Sequence, residues 1–169
     1  MQQSEATILI QKGITNEFPQ NWIDLGCGNG TFTLSLANLL PLESHITAFD
    51  KTSQQLPYSI NGIKIDFRKA DFIDEQIAVS PLDGILMANS LHFVADKTKL
   101  IKQLENIFKG NPKFLIVEYD TTTASPWVPY PISYQKLNQE FNQLGYRTDK
   151  LAEMPSKFGG IIYSALAFK

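Results

Sequence analysis

The stretch Trp22-Ile23-Asp24-Leu25-Gly26-Cys27-Gly28-Asn29-Gly30-Thr31 decides the fold. An apolar run breaks into three alternating glycines and then into a helical pattern, as expected of a strand, a turn and a helix built around a nucleotide. Glycine lacks a Cβ and tolerates positive φ, so such a loop bends sharply at a strand end and lets the backbone approach a ligand closely.

Charge separates the nucleotides that compete for this loop. A phosphate cradle of the Walker type needs Gly-x4-Gly-Lys-Ser/Thr, and no Lys or Arg occurs from Asp24 to Pro41. The dinucleotide fingerprint is Gly-x-Gly-x-x-Gly/Ala, its last small residue allowing the helix to pack near the strand. Here the spacing is Gly-x-Gly-x-Gly, Thr31 stands where the third small residue belongs, and Asp24 lies two residues before Gly26. A pyrophosphate gains little from that carboxylate. A ligand carrying an ammonium group and a sulfonium can use it.

This Asp-x-Gly-x-Gly-x-Gly arrangement resembles the first motif of the class I S-adenosylmethionine-dependent methyltransferases. The resemblance implies an acid at the end of the second strand to read the ribose, and Ile46-Thr47-Ala48-Phe49-Asp50 supplies one twenty residues after Gly30. It implies an acid and an apolar neighbour at the adenine, where Asp71 and Phe72 stand after the alternating strand Ile63 to Arg68. The family's fourth motif corresponds to Leu82 to Phe93, so Asn89, Ser90, Leu91 and His92 are expected where the methyl group meets its acceptor. The segment is not Asn-Pro-Pro-Tyr/Phe, the form associated with amino methylation of adenine or glutamine. The cofactor-binding set implied for S-adenosylmethionine is Asp24, Gly26, Cys27, Gly28, Gly30, Asp50, Lys51, Asp71, Phe72, Asn89 and Ser90.

The remaining periodicity completes a doubly wound α/β domain. Leu100, Ile101, Leu104, Ile107 and Phe108 form one face of a helix that Gly110 and Asn111 are expected to stop. A fifth strand follows at Phe114 to Glu118. Leu137, Phe141 and Leu144 stripe another helix, capped by Ser133 and ended by Gly145. The strand-like stretches Arg147 to Glu153 and Ile161 to Phe168 are too close in sequence for a parallel crossover and must pair antiparallel. A nicotinamide-binding sheet would normally add a parallel sixth strand through a helix, whereas the terminal hairpin is what methyltransferase resemblance implies. The architecture that the resemblance implies is a single-domain, mostly parallel seven-stranded sheet of order 3-2-1-4-5-7-6 with the last strand antiparallel. The resemblance implies an N-terminal helical segment at residues 1–20 and a class I methyltransferase domain at residues 21–169. The segment from Lys51 to Gly62 contains Pro57 and leaves little room for a helix, which departs from the family pattern.

Composition bounds the function. A chain of 169 residues can bury about 70% of its unfolded surface, enough for one core. A net charge of −2 with scattered lysines offers no basic stripe and disfavours a nucleic-acid substrate. No apolar stretch is long enough to span a bilayer, and Met1 to Glu5 has no signal-peptide character. The lone Cys27 fits a reducing cytoplasm and reads as a loop filler. With only His45 and His92, no metal-ligand spacing arises and no metal is expected. Oligomeric state is not legible.

The acceptor side rests on fewer residues. The loop Thr121 to Pro131 holds Trp127, Tyr130 and three prolines; it either walls a pocket for a small, partly apolar methyl acceptor or is a packed connection. The substrate pocket expected on the first reading is Leu91, His92, Trp127 and Tyr130. His92 is the leading general base, since an unperturbed imidazole titrates near pH 6.5; the alternative is a packing role. Glu118, Tyr119 and Asp120 rank behind it. Ala6, Leu9, Ile10 and their neighbours form a helix that either folds over the cofactor crevice or covers a sheet face. The enzyme reading is thus methyl transfer to a small molecule. Its rivals are a non-catalytic S-adenosylmethionine-binding or scaffold protein and an NAD(P)-dependent oxidoreductase.

Overall fold

The computed structural model describes residues 1–15, 17–79 and 81–169. Its strands are β1 Asn21–Leu25, β2 His45–Asp50, β3 Ser59–Ile60, β4 Ile63–Lys69, β5 Gly84–Ala88, β6 Lys113–Tyr119, β7 Arg147–Pro155 and β8 Ile161–Phe168. Four α-helices accompany them: α1 Gln3–Ile10, α2 Thr31–Leu39, α3 Lys97–Glu105 and α4 Tyr134–Gln143. One sheet runs β3-β4-β2-β1-β5-β6-β8-β7. Pairing is parallel from β4 through β6, while β8 is antiparallel to both β6 and β7.

This is the expected order with one addition, for the sheet has eight strands and not seven. Asn61 and Gly62 adopt φ of 49° and 81°, the twist of a two-residue hairpin turn, so Ser59–Ile60 folds back onto Ile63 and Lys64. The connection between β2 and β4 contains no helix, as the shortness of Lys51 to Gly62 requires.

Alternation along the strands sends successive side chains to opposite faces. Trp22, Leu86, Leu115 and Val117 meet Leu9, Ile10, Phe32 and Leu36 of α1 and α2 on one side. Ile23, Ile85, Met87, Phe114 and Ile116 meet Ile101, Leu104, Leu137 and Phe141 of α3 and α4 on the other. The N-terminal helix therefore covers a sheet face. Ser164 Oγ donates to the Leu9 carbonyl at 2.6 Å and Ser35 Oγ to the Gln3 carbonyl at 3.1 Å, tying α1 to β8 and α2.

Helix α3 ends earlier than its apolar period suggests. Ile107 N still donates to the Leu104 carbonyl (3.2 Å), but the Ile107 carbonyl accepts from Leu82 N (2.8 Å) and the Leu82 carbonyl from Lys109 N (2.9 Å), so from there the chain bonds to the approach of β5. Helix α4 begins as expected, with Ser133 Oγ accepting from Lys136 N at 3.3 Å, and Gly145 follows it at φ 83°.

The chain leaves β1 toward β2 and β4, then jumps back across β1 to β5. That reversal opens a crevice beyond the carboxyl ends of β1 and β5, where ligands bind in open α/β sheets.

Candidate active site

The glycine turn is fixed from below and from the side. Gly26 N and Cys27 N both donate to the Phe49 carbonyl at 2.9 Å. Gly26 has φ 79°, and a Cβ there would lie 2.6 Å from Ser90 Cβ and 3.4 Å from the Phe72 ring. Only glycine lets the β1 and β5 loops come this close. Gly28, at φ 51°, is the opposite case, since a Cβ on it would meet nothing within 4 Å. It borders open space at the crevice.

Asp50 closes β2 against this turn. Its Oδ2 accepts from Gly28 N (2.9 Å), and its Oδ1 from Thr52 N (2.9 Å) and Thr52 Oγ1 (2.7 Å). Partial burial alone would raise its pKa, but the hydrogen bonds from Thr52 and Gly28, with the Gln54 amide close by on Thr52 Oγ1, outweigh it and hold the carboxyl below its ordinary range. A carboxylate offers about four acceptor sites. Three are used, which leaves one on Oδ2.

Asp24 is wholly buried, with Thr33 Oγ1 of α2 donating to Oδ2 at 2.6 Å. Burial pushes its pKa up to about 7 against the Thr33 hydrogen bond, and the charge of Asp50 adds to the rise. Among the described residues, the buried side-chain polar atoms without a hydrogen-bond partner are Asp24 Oδ1, Asn89 Oδ1 and Ser90 Oγ. Orphaned buried polar groups are rare in folded proteins and call for an explanation. All three stand at the ends of β1 and β5, and Asn89 also carries a left-handed φ of 54°, a costly geometry that concentrates at functional sites.

The other expected contacts are placed less directly. Phe72 is buried beneath the glycine turn, while Asp71 Oδ1 accepts from Ile73 N at 3.1 Å in a turn of its own. Lys51 Nζ lies 6.0 Å from the Phe93 ring centroid. Burial drives the Cys27 thiol pKa far up, which fits a filler and not a nucleophile.

Beside Asn89 lies a cavity of about 790 Å³. His92 and Phe93 after β5, Tyr119 to Thr121 after β6, Trp127 and Val128, and Phe158 to Ile161 at the β7–β8 tip form its walls. Ser125 and Val128 exchange two backbone hydrogen bonds of 3.1 Å, so Pro126 and Trp127 occupy a tight turn that presents the indole, 83% exposed, at the rim.

His92 is 2% exposed and held by one carboxylate at two points. Its backbone N donates to Glu118 Oε1 (3.0 Å), and its Nδ1 lies 2.7 Å from Glu118 Oε2. Since an ionised carboxylate only accepts, Nδ1 carries the hydrogen and Nε2 keeps the lone pair in the neutral ring. Glu118 ranked second as a base in its own right; the structure makes it the partner of His92. The two are 26 residues apart, and no local sequence signal joins them. Exposed Phe158 beside Gly159-Gly160 was the legible hint of a wall at the hairpin tip.

Two expected pocket residues lie elsewhere. Leu91 is fully buried in the α3–α4 core and does not line the cavity. Tyr130 lines a separate groove with Asp96 and Lys97. Its backbone explains the turn away: Tyr130 N donates to the His92 carbonyl at 2.9 Å, its own carbonyl accepts from Lys97 Nζ at 2.9 Å, and the ring sits 5.8 Å from that ammonium.

A family model described as a methyltransferase domain matches residues 20–163. The chain belongs to the methyltransferase domain family. Solved structures agree on the fold. This methyltransferase is similar to 1,6-didemethyltoxoflavin-N1-methyltransferase of Burkholderia thailandensis, solved with bound 1,6-didemethyltoxoflavin and S-adenosylhomocysteine, at 14% identity and TM-score 0.72 over 99% of this chain and 77% of that one. It is similar to the YcgJ protein of Bacillus subtilis at 10% identity and TM-score 0.72, over 98% of each chain. A methyltransferase of Aquifex aeolicus described as S-adenosylmethionine dependent gives 14% identity and TM-score 0.68, over 98% of this chain and 92% of that one. At such identities the likeness carries the Rossmann-like fold of class I S-adenosylmethionine-dependent methyltransferases and not the acceptor. No curated protein sequence matches the chain. No helix among the described residues is long and apolar enough to cross a membrane.

Proposed function

We propose that this methyltransferase moves the methyl group of S-adenosylmethionine onto a small molecule held in the cavity beside His92. The observation that carries the reading is the set of orphaned atoms, Asp24 Oδ1, Asn89 Oδ1 and Ser90 Oγ, gathered where β1 and β5 end. A zwitterionic sulfonium nucleoside answers them. Its ammonium group offers the cation that buried Asp24 lacks, and its polar groups offer partners to Asn89 and Ser90. The remaining acceptor site on Asp50 suits a ribose hydroxyl, with the backbone at Gly28 leaving room for the sugar. Phe72 and Asp71 stand on the adenine side.

The bound sulfonium supplies an electrophilic methyl group and a neutral leaving thioether. The protein's task is then alignment, which can contribute ~7–11 kcal/mol in favourable cases. The cavity walls orient the acceptor and exclude water, and His92 takes a proton at Nε2 where the acceptor must lose one. A nicotinamide cofactor is disfavoured by Thr31 after the third glycine, by the acid at Asp24 and by the antiparallel β6–β8–β7 end of the sheet.

Titration of the protein with S-adenosylhomocysteine and with NADH, read by calorimetry and thermal shift, tests this directly. Saturable binding and a raised Tm are expected for the first and neither for the second. Turnover of S-adenosylmethionine across an acceptor panel separates an enzyme from a binding protein.

A further inference from the structure

We propose that the acceptor is a flat, uncharged aromatic compound with an ionisable hydroxyl, methylated on that oxygen, with His92 receiving the hydroxyl proton and Glu118 acting as the positioning residue. This rests on the methyl-transfer reading of the crevice.

The cavity's volume of about 790 Å³ lies within the range that holds drug-sized molecules. Phe93, Tyr119, Trp127 and Phe158 give it aromatic walls. Trp127 and Phe158 are 83% and 89% exposed, so two large rings stand at its rim largely uncovered by the described residues. Rings stacked on such walls gain both apolar burial and the preference for offset or edge contacts.

Charge narrows the class. Among the described residues no lysine or arginine lines the cavity while Asp120 does, so a carboxylate or phosphate on the acceptor meets a like charge on the wall and no cation there. Against a cationic acceptor stands Lys51, whose ammonium lies 6.0 Å from the centroid of the Phe93 wall ring and offsets Asp120, whose Oδ1 already accepts from the Tyr134 amide at the start of α4 (3.0 Å). Both Glu118 oxygens are committed to His92. The carboxylate does not line the cavity, whereas His92 does, and its position fixes which ring nitrogen is free. A base held this way serves an acceptor that has a proton to lose.

The step balances. The hydroxyl proton passes to Nε2 of His92, and the oxygen's electron pair forms the bond to the methyl carbon. The carbon–sulfur bond breaks with its pair on sulfur, leaving a neutral thioether and an aryl methyl ether. The imidazolium, steadied by Glu118, returns its proton to water.

The test uses 4-nitrophenol and 4-nitrocatechol, whose phenolate forms absorb at longer wavelength than the phenols, added to protein saturated with S-adenosylhomocysteine. Saturable quenching of Trp127 fluorescence is expected; Trp22 is fully buried, and Trp127→Phe supplies the baseline. The bound probes should show the phenolate spectrum at a pH where the free probes are protonated. Glu118→Gln and His92→Gln should bind both the probe and S-adenosylhomocysteine yet lose the phenolate signal, an effect that a merely structural role does not produce. Trp127→Ala should weaken the probe about two- to tenfold. With S-adenosylmethionine, mass spectrometry should find the aryl methyl ether.

Intact S-adenosylhomocysteine binding with silent probes overturns this inference alone. So do a phenolate signal that survives in both variants and tighter binding of benzylamine or cyclohexanol than of the phenols. Absence of S-adenosylhomocysteine binding overturns the methyl-transfer reading and this inference with it.

Discussion

On the proposed function, Asp24 links stability to ligand. Its carboxyl is buried near the end of β1, with one oxygen bonded to Thr33 of α2 and the other without a partner. With a folded pKa of about 7 against about 3.9 in an unfolded chain, the protonated form is favoured by the fold. The contribution is present in full below about pH 4 and is lost as pH rises through 7, about 4 kcal/mol over that window. Thermal unfolding of the ligand-free protein should therefore show a Tm component that falls between pH 4 and 7 and disappears in Asp24→Asn. An ammonium group at Oδ1 reverses the preference, so S-adenosylhomocysteine should release a proton on binding near pH 6.5, visible as a buffer-dependent calorimetric enthalpy. Equal enthalpies across buffers would separate Asp24 from the ligand. Asp50→Ala should weaken the same ligand by ~1.5–3 kcal/mol, the usual range for a hydrogen bond to a charged group, as measured by titration.

At the scale of elements, the sheet brings its loops together by close packing that side chains elsewhere would prevent. Gly84 at the start of β5 faces Trp22 of β1, and a Cβ there would lie 2.4 Å from the indole ring. Trp22 has little freedom to yield, since it is fully buried with its Nε1 donating to Gln20 Oε1 at 2.9 Å. Gly84→Ala should overpack this contact and cost about 1–3 kcal/mol in chemical denaturation. A neutral result would mean that β1 and β5 can separate without penalty. What was legible in the sequence follows from what was local. The glycine turn, the strand ending at Asp50, the Ser133 cap and the terminal hairpin each rest on contacts within a few residues or on connection length. The short β3 escaped although Asn61-Gly62 is a strong turn signal, because two residues offer no period to read. Ile107 and Phe108 continued the α3 stripe, but the Ile107 carbonyl and the Lys109 amide pair with Leu82, a tertiary preference that overrides period.

Across the whole molecule, the fold gathers strand ends that the sequence spreads from Asp24 to Ile161. Residues at those ends were readable one by one, as Asp24, Asp50, Asn89 and His92 were. Pairings across the sheet were not. Glu118 meets His92 because β6 lies beside β5, and Leu91 and Tyr130 sit away from the cavity because their neighbours turn them toward the core and toward Lys97. On the proposed function a sulfonium nucleoside occupies the crevice between the glycine turn and Asn89, with the acceptor cavity next to it. A crystal structure of the complex with S-adenosylhomocysteine is the decisive measurement. A ribose hydroxyl is expected within hydrogen-bond distance of Asp50, the ammonium group beside Asp24 Oδ1 or its neighbours Asn89 and Ser90, and sulfur turned toward the cavity of His92. A ligand bound away from the β1 and β5 ends, with those three atoms still unpartnered, would contradict it.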